Sequence, residues 1–186
     1  FAATPPLEAL RLLISEAATI DGEQEEKVVE IDDVSRAFFE ANATRDVCVE
    51  LPPEAMTEDD IKKDMVGHLK KSLYGTRDAA QNWEYACVEW LASIGFKSGR
   101  ASPCVFYHQE RGILLVVHGD DFTVLGPEPS LDWFRVQIAA KFEVKFRGRL
   151  GPQAGDQQSI RILNRVVEWT GEGINYEADQ RHAELI

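Results

Sequence analysis

The spacing of apolar and polar positions divides the chain into a mixed series of helices and strands. Leu7, Leu10, Leu13 and Ile14 fall on one stripe, which predicts a helix over residues 5–19, with Thr4 as its cap and Pro5 in its first turn. The period then shortens to two. Over residues 27–33, Val29, Ile31 and Asp33 alternate onto one face of a strand. Residues 35–42, with Ala37, Phe38 and Phe39, predict a helical turn, and residues 46–51 a second strand stopped by Pro52 and Pro53. An acidic, exposed stretch follows over 54–65. Helical spacing returns at Ala79, Ala80, Trp83, Ala86, Cys87, Trp90 and Leu91, predicting a long helix over 76–94 that ends at Gly95.

The second half of the chain is richer in strands. Val105–His108 and Ile113–His118 flank a QERG turn, and a strand over 122–125 follows directly on Gly119-Asp120-Asp121. Residues 130–142 form an amphipathic helix with Ser130 as its cap. Residues 143–149, 160–169 and 173–176 are strand-like, the last two joined by the turn TGEG. Helices and strands mix without strict alternation, which predicts an α+β domain with a mostly antiparallel sheet packed on helices, spanning 1–186 as a single domain.

Composition agrees with that class. A chain of 186 residues with 44% apolar and 28% charged positions can bury one core, and no run of eighteen apolar residues offers a membrane span. The first residues lack a basic start and an apolar signal core, so a non-secreted protein is expected. Cys48, Cys87 and Cys104 stand far apart without a CxxC, which predicts free thiols in a reducing compartment, the cytoplasm or alternatively the nucleus.

The net charge of −12 argues against wrapping nucleic acid, but it is unevenly spread. Residues 1–66 hold 6 Lys/Arg against 17 Asp/Glu, whereas residues 141–165 hold 6 against 2. The basic run Lys141, Lys145, Arg147, Arg149 is a candidate face for a polynucleotide backbone.

The sharpest local feature is LLVVHGDDFTVLG over 114–126, where two adjacent carboxylates interrupt an apolar hairpin. Taken alone, Asp and Gly there make an ordinary turn. A metal site needs a further carboxylate, and Asp33 at the end of its strand supplies a candidate. Three acids held close repel one another unless a cation is present, and two Mg²⁺ ions on such a cluster serve in-line phosphoryl chemistry.

These segments, in this order, resemble the reverse transcriptase domain of Ty1/copia-type retrotransposons. FAATPPLEALRLLISEAA resembles the stretch leading into the polymerase palm. Asp33-Val34-Ser35-Arg36-Ala37-Phe38-Phe39 resembles the DVxxAFL motif, and VCVELPPE over 47–54 the stretch after it. LKKSLYG over 69–75 matches a family motif, continued by Ala79 to Trp83, and His118-Gly119-Asp120-Asp121 stands where the family has YVDD. The resemblance implies a palm-like fold with partial fingers, 150–186 leading towards a thumb, and an N-terminally truncated domain.

The resemblance also implies roles. Asp33, Asp120 and Asp121 would be the catalytic residues and ligands of two Mg²⁺ ions, with Mn²⁺ as a substitute. Phe38, five residues after Asp33, would screen the ribose 2′-hydroxyl; from Asp32 the same spacing reaches Ala37, so Asp33 is preferred as the ligand. Tyr74, Gly75 and Arg77 would line the nucleotide and template, and Lys70, Lys71 and Lys145 would contact phosphate. The implied partners are an RNA/DNA primer–template and deoxynucleoside triphosphates, with no membrane. The implied activity is RNA-directed DNA polymerisation; the alternatives are an inactive transposon-derived binding module and, last, a phosphoesterase using His118. Two departures carry expectations of their own: Gly119 is expected to loosen its strand, and the doubled Asp32–Asp33 to bulge the first strand.

Overall fold

A computed structural model describes residues 5–19 and 26–177. The element order begins α1 (Leu7–Ala17), β1 (Lys27–Val34), α2 (Ala37–Glu40), β2 (Cys48–Val49), α3 (Glu58–Lys62), β3 (Gly67–His68) and α4 (Ala79–Ser93). It continues with β4 (Lys97–Ser98), β5 (Val105–His108), β6 (Ile113–His118), β7 (Asp121–Pro127), α5 (Glu128–Lys141), β8 (Val144–Leu150), β9 (Ser159–Ile162), β10 (Arg165–Thr170) and β11 (Gly173–Tyr176). The predicted α+β class holds. The described chain falls into two compact units, one of residues 36–89 and one of residues 5–19, 26–35 and 90–177.

The larger unit is built on a six-stranded sheet in the order β4-β5-β6-β7-β1-β8, antiparallel at every pairing. β1 lies inside the sheet, and its alternation divides the unit's core. Val29 and Ile31 join Val116, Leu125 and Leu150 in a cluster with Leu10, Leu13 and Ile14 of α1. The antiparallel sheet β11-β10-β9 adds Ile162 and Val167 to the same cluster. On the opposite parity, Glu30 meets Arg135 of α5. The aromatic rings of Trp90, Phe134 and Phe142 pack together in this unit, with Trp90 and Phe142 edge to face at 5.0 Å.

The smaller unit holds α2, α3, the two-residue ladder β2–β3, and α4 as far as Glu89. α3 is exposed and held by a capping box, in which Thr57 and Asp60 exchange side-chain and backbone hydrogen bonds.

Several local expectations are corrected. The cap of α1 is Pro6 in extended conformation, so Pro5 precedes the helix; Thr4 lies outside the described residues. α5 starts at Glu128 behind Pro127, which leaves Ser130 inside the first turn rather than capping it. The strand expected over 160–169 is two strands, because Leu163 and Asn164 both take positive φ and turn the chain back on itself. The second strand is two residues long, Cys48–Val49, and the short strands β3 and β4 have no counterpart among the expected elements. Cys48, Cys87 and Cys104 form no disulfide.

Candidate active site

The adjacent acids Asp32 and Asp33 take opposite faces of β1, as the strand's alternation requires. Asp32 shares its parity with Glu30, is fully buried, and leaves both carboxylate oxygens without a hydrogen-bond partner. Burial, with Glu30 nearby, pushes its carboxyl up to about 8 against the opposing pull of Arg135 and Arg149. The protonated form of Asp32 is therefore favoured well above the usual carboxylate range. Asp33 is partly exposed on the other face, so the structure separates the doublet by alternation.

Asp33 stands opposite Asp121 across the β1–β7 ladder. Residues so paired project to the same side of a sheet. The β6–β7 hairpin sets the position of the second acid: His118 pairs with Asp121, leaving Gly119 and Asp120 as a two-residue turn. Gly119 takes φ +64°, as the first central position of a type II′ turn requires. It is thus a turn residue, and the expectation that it loosens a strand is corrected. The turn is tied to β1 by Val34 N–H, which donates to the Asp120 carbonyl at 2.9 Å.

The cation at this pair is Arg147. Its Nη2 donates to Oδ2 of Asp33 and lies 3.5 Å from Oδ1 of Asp121. Hydrogen bonding to Asp33 pushes the guanidinium pKa further up. Burial pushes the Asp121 carboxyl upwards, with Asp120 and Asp33 adding to the rise and Arg147 opposing it.

β8 carries a bulge at Arg147. Gly148 pairs with Ile31 and Phe146 pairs with Asp32, so Arg147 is the extra residue between them. Gly148 adopts φ +141°, a conformation that disfavours side chains. The bulge expected on the first strand from Asp32–Asp33 therefore lies on its neighbour.

The basic run is split by the same irregularity. Lys145 pairs with Asp33 and is exposed on the acids' side. Arg149 instead pairs with Glu30 and donates to it at 2.6 Å and to Asp132 at 2.6 Å. Arg147 and Arg149 are thus engaged by carboxylates within the chain.

The smaller unit gathers the other predicted residues. Phe38 and Tyr74 stack at 4.4 Å between ring centroids, and Phe39 meets Tyr74 edge to face at 5.4 Å. Gly75 takes φ +90° with open space where a side chain would stand. Arg77 is exposed. Lys70 and Lys71 are exposed, but Lys70 Nζ lies 3.1 Å from His68 Nδ1 and Lys71 Nζ donates to the Glu40 carbonyl at 3.1 Å. Asp78 fastens this unit's start of α4 to residues 44 and 45. Arg45 donates to it at 2.7 Å and holds its carboxyl well below the usual range, and Thr44 adds a bond at 3.2 Å.

Oxygen donors suit Mg²⁺. Asp33 and Asp121 fit in placement, since one oxygen of each converges on a single cationic atom. Asp120 lies in the turn, immediately before Asp121. Among the described residues, no three His, Cys, Asp or Glu side chains stand in one metal-holding group.

A family model described as reverse transcriptase (RNA-dependent DNA polymerase) matches residues 1–156. The chain is 31% identical over 102 residues to the retrovirus-related Pol polyprotein from transposon RE1 of Arabidopsis thaliana, covering 53% of this chain and 7% of that protein. It is 27% identical over 134 residues to the Pol polyprotein from transposon TNT 1-94 of Nicotiana tabacum, covering 70% and 10%. The chain thus spans a tenth or less of the length of these relatives. Among solved structures, apo telomerase from Candida tropicalis, truncated from its C-terminal domain, aligns with 95% of this chain and 41% of its own, at TM-score 0.53 and 9% identity. That likeness is one of fold alone. The chain belongs to the reverse transcriptase (RNA-dependent DNA polymerase) family, in its Ty1/copia retrotransposon type.

Proposed function

We propose that this chain is the palm-type region of a retrotransposon RNA-directed DNA polymerase, with Asp33, Asp120 and Asp121 as its catalytic acids. The observation that carries this reading is the pairing of Asp33 with Asp121 across β1 and β7, beside the turn that holds Asp120. Asp33, Asp120 and Asp121 are the residues that would hold Mg²⁺, or Mn²⁺ in its place. When bound, two such ions supply charge neutralisation and activation of a primer hydroxyl for in-line displacement.

The chain's own residues do the positioning. The β1–β7 ladder fixes the lateral spacing of Asp33 and Asp121, and the Asp120 carbonyl anchors the turn. Lys145, cross-strand from Asp33, brings a cation to the triphosphate or to its departing pyrophosphate. Phe38, backed by Tyr74, screens the sugar 2′-position by volume, and Tyr74, Gly75 and Arg77 line nucleotide and template. Lys70 and Lys71 turn to phosphate by exchanging the His68 ring and the Glu40 carbonyl for an anion. The substrates in this reading are a primed RNA template and deoxynucleoside triphosphates.

The second reading is a transposon-derived module that binds nucleic acid or protein without catalysis. The guanidinium of Arg147 on Asp33 and Asp121 favours it, because an acid pair so neutralised has less need of a metal. Single-nucleotide extension of a primed RNA template separates the two. The polymerase reading expects extension that requires Mg²⁺ and is lost in Asp120→Asn. Primer–template binding with no extension across Mg²⁺ and Mn²⁺ concentrations selects the second reading.

A further inference from the structure

Several charged groups make contacts that the proposed chemistry does not use. A cavity of about 700 Å³ lies between the end of α1 and the β10–β11 turn, and its rim at Thr19 and Glu26 borders residues outside the described structure. The Glu30–Arg135–Arg149–Asp132 network balances its charges internally. Arg147 is different. It is the one bulged residue of β8, it is nearly half exposed, and it is aimed at the two cross-strand acids.

We propose that Arg147 is a built-in competitor for the divalent cation, holding Asp33 and Asp121 together in the metal-free chain and yielding its place when a cation binds. This inference rests on the assignment of Asp33 and Asp121 as metal ligands. Two cross-strand carboxylates repel each other without a cation between them. A guanidinium supplies that cation through flexible single bonds, whereas Mg²⁺ brings twice the charge and binds oxygen donors directly. Both cannot occupy one position, so each weakens the other.

The fold keeps the side chain in reach without fixing it. The bulge places its backbone, Gly148 at φ +141° permits the bulge, and Gln157 Nε2 donates to the Arg147 carbonyl at 3.3 Å. The guanidinium itself can swing to solvent. Among the described residues, the other charged or titratable groups that act on the pair are Asp120, His118 and Lys145.

The test is Mn²⁺ binding to the purified full chain, followed by electron paramagnetic resonance at low ionic strength. Arg147→Met is expected to bind Mn²⁺ about twofold to fivefold more tightly than wild type, the scale on which a half-exposed ion pair acts. The gain should vanish in Arg147→Met combined with Asp33→Asn. Equal affinity in wild type and Arg147→Met overturns the inference, as does a gain that survives Asp33→Asn. Should Arg147→Met not fold, the wild-type chain answers instead: its Arg147 Nε–H resonance should shift as Mg²⁺ is added, and a resonance unmoved at saturation overturns the inference. Failure of the polymerase reading is seen separately. Tighter, Asp33-dependent Mn²⁺ binding without any primer extension removes the enzymatic assignment and leaves the competition intact.

Discussion

Asp33 and Asp121 face each other on adjacent antiparallel strands, and both reach the same nitrogen of Arg147. The pair is the product of two local devices. The β6–β7 turn brings Asp121 to the strand end, and β8 brings the cation from its bulged position. The following outcomes are expected.

Asp32 makes stability depend on pH. In the unfolded chain its carboxyl ionises near 3.8, but burial holds it protonated in the fold up to about 8. Between those values the folded chain binds a proton that the unfolded chain has lost, so stability falls as pH rises, by up to about 1.4 kcal/mol per pH unit. Asp32→Asn keeps the shape without the charge. Urea unfolding at pH 5 and pH 8 should show a smaller loss in Asp32→Asn than in wild type; an equal loss in both contradicts the assignment.

Gly148 sets the bulge. A Cβ built there would stand 2.5 Å from Gln157 Nε2, and the φ of +141° is costly for any side chain. Gly148→Ala should destabilise the fold by about 1–3 kcal/mol. A urea midpoint unchanged from wild type would show that the bulge does not need glycine.

Phe38 and Tyr74 act together. Their stacking is worth about 0.5–1.5 kcal/mol beyond burial, so Tyr74→Ala should release the Phe38 ring. Phe38→Val should lower discrimination against ribonucleotides by about tenfold or more, measured by single-turnover incorporation of matched ribo- and deoxyribonucleotides. Unchanged discrimination in Phe38→Val would return this ring to a packing role.

Much of this arrangement is legible in the chain itself. The period of two over 27–33 makes β1 and its faces readable, and the same parity separates Asp33 from Asp32. The β5–β6 hairpin is readable because its apolar runs are bounded by QERG. The destiny of the basic run is not, because strict alternation puts Lys145, Arg147 and Arg149 on one face. The bulge breaks that phase after Arg147, which stays with Lys145 on the side of Asp33, and sends Arg149 to Glu30. One signal was available: a glycine inside a strand, Gly148, marks such a break. Glu30 gave no such signal, since a buried acid in a strand is distinguished only by its partners, Arg135 and Arg149. The short strands β3 and β4 were hidden because two-residue ladders carry no period.

The most direct test compares the two neighbouring acids. Primer extension on an RNA template with Mg²⁺ should be abolished in Asp33→Asn and retained in Asp32→Asn, because only Asp33 faces Asp121. Loss of extension in Asp32→Asn with retention in Asp33→Asn, or no extension by the wild-type chain, would contradict the assignment.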